Sequence, residues 1–178
     1  AAASGADLHL LADSFVELAA RDDMPEFDVI ALHGIWSGGS EEDRSAIADL
    51  AKRKLAAGGV FYVSYNCTTG WAAALGLREL TNLYATHEAK ECTHVATKVD
   101  RALAFAQELQ RAGAAYFTAH PRVEALLQGL VTKDRAYASH ELFVPDFALR
   151  SFAEVSSQLS DADLHYAGSA LLLMHDYD

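Results

Sequence analysis

Positive charge is scarce in this chain. Fourteen Lys and Arg face 25 Asp and Glu, a formal net charge of −11 over 178 residues. A general nucleic-acid binder needs a basic field to release counterions from phosphates, so that class is excluded. Cysteine is nearly absent: Cys67 and Cys92 form no framework spacing, which argues for free thiols in a reducing compartment. No apolar run approaches the ~18 residues of a membrane helix. The longest, "AGSALLLM", is strand-sized. The start "AAASGAD" has neither the basic nor the apolar region of a secretory signal. A cytoplasmic protein without membrane contact is the expectation. Proline is rare too, at three residues, and no Pro- or Ser-rich linker or internal repeat divides the chain.

What is present is apolar patterning. "LHLLA" at 8–12 reads as a short strand, and Asp13-Ser14 then open the helical stretch "SFVELAARD". "FDVIALHG" has the continuous apolar, β-branched character of a strand buried on both faces. The next helix is strongly signed. Ser40 is a plausible N-cap with Asp43 three residues on, Glu41, Glu42 and Asp43 fill the first turn, and Lys52, Arg53 and Lys54 fill the last. Ile47, Leu50, Ala51 and Leu55 make a narrow apolar stripe, and Gly58-Gly59 is the expected stop. "VFYVSY" is a second strand, so this strand–helix–strand unit predicts parallel pairing. Beyond Asn66 the pattern turns helical, from "GWAAALGLRELTNLYATHEA" through "VATKVDRALAFAQELQRAG" and "PRVEALLQGLV" to "FALRSFAEVSSQLSD". "LHYAGSALLL" is expected to close the chain as a strand.

In open parallel sheets, ligands lie beyond the carboxyl ends of the strands. Asp13 and Ser14, His33, Gly34 and Trp36, and Tyr65 and Asn66 follow three such ends. The plainer reading is that loops are polar and a carboxylate after a strand caps a helix. Other chemistries fare worse. "HGIWSGGS" suggests an oxyanion loop, but no G-x-S-x-G nucleophile accompanies it. His87, Glu88, Cys92 and His94 suit zinc by type but match neither H-E-x-x-H nor a paired C-x-x-C. His140-Glu141 has no second histidine at the needed offset. Cys67 lacks a flanking charge that would activate it.

Taken together, "FDVIALHGIWS", "GGVFYVSYN…GW", "RALAFAQELQRAGAAYFTAHPRVEALLQGL", "RAYASHEL" and "FAEVSSQLSDADLHYAGSA" resemble the later part of a class I S-adenosylmethionine-dependent methyltransferase joined to a methyltransferase regulatory domain. The resemblance implies an α/β fold. Residues 1–68 would be the later half of a Rossmann-like sheet, and 69–178 a helical regulatory-like region with a C-terminal strand. It implies S-adenosyl-L-methionine as cofactor, with Asp13 and Ser14 near the adenine, and His33 and Gly34 at the methionine end. Trp36, Tyr65 and Asn66 would face a methyl acceptor of unknown identity; no metal is implied. The family's glycine-rich loop and ribose-binding acid have no counterpart, so these residues alone should bind the cofactor weakly or not at all. In the family's strand order, two strands would lie between residues 8–12 and 28–32. The sheet is therefore expected to be completed by a preceding segment or another copy, or to be rearranged. The rival expectation is a non-catalytic module whose helices dock a partner protein.

Overall fold

The computed structural model describes residue 5 and residues 7–171. Two compact units divide it: Ala1–Ser64 with Phe152–Asp178, and Tyr65–Ser151.

The first unit carries the sheet. Helix α1 (Phe15–Ala19) starts at Ser14, whose hydroxyl accepts from the Glu17 amide while Glu17 reaches back to the Ser14 amide. Strand β1 (Phe27–Leu32) leads through the turn 33–40 to α2 (Glu41–Lys54). The expected cap of α2 is a full reciprocal box: the Asp43 amide donates to Ser40 Oγ at 3.0 Å, and the Ser40 amide to Asp43 Oδ2 at 3.0 Å. Ile47, Leu50 and Ala51 are buried, as the apolar stripe predicts, whereas Leu55, its fourth member, lies outside the helix as the first residue of the next strand and is half-buried. The far end of α2 is tied down by its own cations. Lys54 donates to the carbonyls of Asp22 (3.1 Å) and Met24 (2.7 Å), and Arg53 to that of Ala19.

Strand β2 (Leu55–Val63) follows α2 without a break and lies parallel to β1. Gly58-Gly59 therefore does not stop the helix, which ends at Lys54. The glycines form an irregularity in the strand instead. Phe27 pairs with Leu55 but Val29 pairs with Val60, so residues 56–59 stand opposite Asp28 alone. Gly58 has φ +82°. At Gly59 a Cβ would sit 2.9 Å from both the Ala56 and Asp28 carbonyl oxygens, so only glycine allows the approach.

Three further expectations are corrected. Residues 8–12 are not a strand: no strand among the described residues runs beside them, and Leu8, Leu10 and Leu11 are exposed. β1 is not buried on both faces. The sheet has two strands among the described residues, and Val29 and Val60 are about 60 and 58% exposed. The expected closing strand is absent from 164–171, which follow α9 (Phe152–Ser160) in irregular backbone; its remainder lies outside the described residues.

The second unit is helical: α3 (Thr68–Trp71), a 3-10 turn (Ala72–Ala74), α4 (Leu75–His87), α5 (Val95–Arg111), α6 (Ala115–Ala119), α7 (Pro121–Thr132) and α8 (Arg135–Phe143). Its core gathers Leu77, Val99, Leu103, Phe117, Leu127 and Leu142, with α5 packed on α4, α7 and α8. Each such Leu or Val contributes roughly 1.5–3 kcal/mol by leaving water. Pro121 opens α7, where its missing N–H costs nothing.

Candidate functional site

Parallel pairing brings the two strands to a common end. Leu32 and Val63 are register partners, and the Ser64 amide donates to the Leu32 carbonyl at 3.0 Å. The next residue after each strand, His33 or Ser64, is thus a neighbour of the other. Gly34 then turns the backbone with φ +70°, a conformation that favours glycine, and its N–H donates to Ser64 Oγ at 2.8 Å. His33 Nδ1 lies 3.1 Å from Ser64 Oγ and 3.3 Å from the Tyr62 hydroxyl. The Tyr62 and His33 rings are stacked, with 9° between planes and 6.3 Å between centroids. His33 is exposed.

The rest of the turn is held from behind by α2. The Arg44 guanidinium is buried and donates to the carbonyls of Trp36 (3.2 Å) and Gly39 (2.5 Å) and to Glu41 Oε2 (2.8 Å). Its charge is therefore paired as well as enclosed, which a buried guanidinium requires. The amides of Gly38 and Gly39 both donate to the Ile35 carbonyl. Trp36 is 1% exposed, and its indole lines a crevice of about 330 Å³ with residues of α2 and the α9 end.

Asp13 and Ser14 have local roles: Asp13 pairs with Arg21 at 2.9 Å and Ser14 caps α1. The two Ser14 hydrogen bonds, backbone first, hold the Glu17 carboxyl below its ordinary range.

Tyr65 and Asn66 belong to the second unit. The Asn66 side chain hydrogen-bonds the half-buried Glu141 carboxyl of α8. Burial raises the Glu141 pKa, against the lowering pull of His140, Asn66 and Arg78. The Arg78 guanidinium lies 4.4 Å over the Phe147 ring and donates to the Val144 carbonyl, and burial lowers its pKa. Trp71 packs on the same ring at 5.6 Å. Thr69, through its hydroxyl and then its amide, lowers the Cys67 thiol.

The structure thus brings His33 and Gly34 together with two residues that the sequence reading passed over, Tyr62 and Ser64. It joins Asn66 to Glu141, also unforeseen as a partner. The signal for Ser64 was register: two parallel strands ending side by side make the next residues neighbours. A hydroxyl on an imidazole is also the start of a nucleophile–base pair. That chemistry needs the base oriented through its other nitrogen, whereas the Tyr62 hydroxyl falls on the same Nδ1. Among the described residues no group of three His, Cys, Asp or Glu is placed to hold a metal, and no helix is long and apolar enough to cross a membrane.

Known proteins share this architecture. PKMT2 from Rickettsia typhi, a protein lysine methyltransferase, superposes with a TM-score of 0.66 over 87% of this chain and 28% of its own, at 22% identity. The fold is methyltransferase-like. In sequence, the chain is 34% identical over 167 residues to the uncharacterized protein sll1526 of Synechocystis sp. (strain ATCC 27184 / PCC 6803 / Kazusa). The match takes in 94% of this chain and 32% of that protein, so the chain spans about a third of the length of its relative. No family model matches.

Proposed function

We propose that this chain is the later part of an S-adenosylmethionine-dependent class I methyltransferase, with its helical stretch as a regulatory-like region. The reading rests on one observation above the rest: register-matched parallel strand ends carry His33, Gly34 and Ser64 as a hydrogen-bonded group on a methyltransferase-like fold. Ligands of parallel sheets sit at such ends. The residues present fit one end of the cofactor. An exposed imidazole beside a glycine turn suits the amino-acid end. The glycine loop and ribose carboxylate that hold the nucleoside have no counterpart in these residues. We assign them to the whole protein, in keeping with a relative about three times as long. In the same reading, Asp13 and Ser14 lie toward the adenine.

The cofactor supplies a methyl group on a positively charged sulfur. Methyl transfer is an in-line displacement that depends on alignment more than on a special acid or base. The chain's part is to bind and orient, which accords with a site of fixed hydrogen bonds and no nucleophile–base relay. A protein lysine is the first acceptor to assay, given the activity of PKMT2. A cytoplasmic setting follows from the same reading.

Calorimetry with S-adenosylmethionine tests the proposal. The whole protein should bind it, and these 178 residues alone should give no micromolar binding. Failure of the whole protein to bind would refute the methyltransferase reading. Micromolar binding by these residues alone would refute the account of the missing glycines. A second reading, a docking module built on the helices, draws on an open groove of about 590 Å³ between the start of α5 and α8, walled by Val95, Ala136, Phe143 and Pro145. Partner capture that depends on those helices, with no cofactor bound, would favour it.

A further inference from the structure

The hydrogen bonds around His33 determine which of its nitrogens carries the proton. Ser64 Oγ already accepts the Gly34 N–H at 2.8 Å. Its own hydroxyl proton must therefore point elsewhere, and His33 Nδ1 is 3.1 Å away. The Tyr62 hydroxyl reaches the same Nδ1 at 3.3 Å. With Nδ1 bare, both hydroxyl protons are directed at its lone pair. With Nδ1 protonated, Ser64 Oγ would accept twice, and both hydroxyls would lose this acceptor. The neutral ring is thus driven to carry its proton on Nε2. The tautomer of a histidine is set in this way by what its other nitrogen meets.

We infer that Ser64 and Tyr62 are positioning residues that hold His33 as the Nε2–H tautomer, so that it offers a hydrogen-bond donor to a carboxylate oxygen of a ligand at the strand ends. The ligand class follows from the donor. An N–H can meet a carboxylate or another lone-pair oxygen, and it cannot meet an ammonium group, which has only donors of its own. For a ligand with an amino-acid end, His33 therefore takes the carboxylate and leaves the amine to other groups. This ligand assignment rests on the methyltransferase reading; the tautomer assignment does not.

Two measurements separate them. Long-range proton–nitrogen NMR of the imidazoles, on these 178 residues in alkaline solution where imidazoles are neutral, should show His33 as Nε2–H. Removing the hydroxyls in Ser64→Ala/Tyr62→Phe should shift the tautomer ratio toward Nδ1–H by about fivefold for each of the two hydrogen bonds lost. An Nδ1–H signature in the wild type, or a ratio unchanged in the double variant, would overturn the inference whatever the protein binds. Calorimetry on the whole protein reads the ligand. His33→Ala, which removes the donor itself, should weaken S-adenosylmethionine about fivefold and leave decarboxylated S-adenosylmethionine unaffected. Equal losses for the two ligands would overturn the carboxylate assignment. Wild-type protein that shows the Nε2–H signature but binds neither ligand would refute the methyltransferase reading and, with it, the carboxylate assignment, while leaving the tautomer assignment in place.

Discussion

Glu141 shows how much of this protein's chemistry sits in single side chains. Its carboxyl is half-buried, and burial raises its pKa despite the Asn66 hydrogen bond and the nearby cations. The folded chain therefore holds the Glu141 proton more tightly than the unfolded chain does. The stability this gives is complete below the unfolded value, ~4.3, and is lost as pH rises through the folded value. Glu141→Gln keeps an acceptor for Asn66 and removes the charge. It should raise the melting temperature at pH 7, and the gain should disappear as pH falls below the ordinary glutamate range. Thermal melts of both proteins across pH give the comparison, and a gain that persists in acid would show burial is not the cause. At this scale the sequence was legible where one residue acts on its own neighbours. The Ser40–Asp43 box is an example, since its spacing alone announces the bond. Asn66 with Glu141, or His33 with Ser64, required knowing which distant segments meet.

Among elements, helices were more legible than strands, and the physical reason is locality. The α2 helix states its ends in caps and charges and its buried face in Ile47, Leu50 and Ala51. A strand exists only with a partner. "LHLLA" has the composition of one and lacks the neighbour, and Gly58-Gly59 suits a helix stop as well as it suits a strand irregularity. The glycines give the test. Gly59→Ala would drive a Cβ to 2.9 Å from two carbonyl oxygens and should cost about 1–3 kcal/mol in urea unfolding. Gly70→Ala meets nothing within 4 Å and has no positive φ, so it should be neutral or add about 0.4–1 kcal/mol. Equal effects at both positions would contradict the described path of β2.

For the whole molecule, the apolar surface on the sheet carries the main consequence. Val29 and Val60 are exposed, and neither β1 nor β2 has a second neighbour among the described residues. Apolar, unpaired strands invite association. Light scattering on these 178 residues should show a mass that climbs with concentration despite the net charge of −11. Val60→Lys should suppress that climb while changing unfolding free energy by no more than about 0.5 kcal/mol. A monomeric mass at every concentration would mean that this face needs no cover.

The second unit also begins and ends at one place. The Thr68 amide donates to the Arg150 carbonyl at 3.1 Å, and the Arg150 amide to the Asn66 carbonyl at 3.4 Å, so the entry and exit segments are clasped. A segment with joined ends behaves like a cassette: its 87 residues, Tyr65–Ser151, could be lifted out and replaced by a short bridge without asking the host chain to span a gap. Evolution could exchange such a cassette as readily as an engineer.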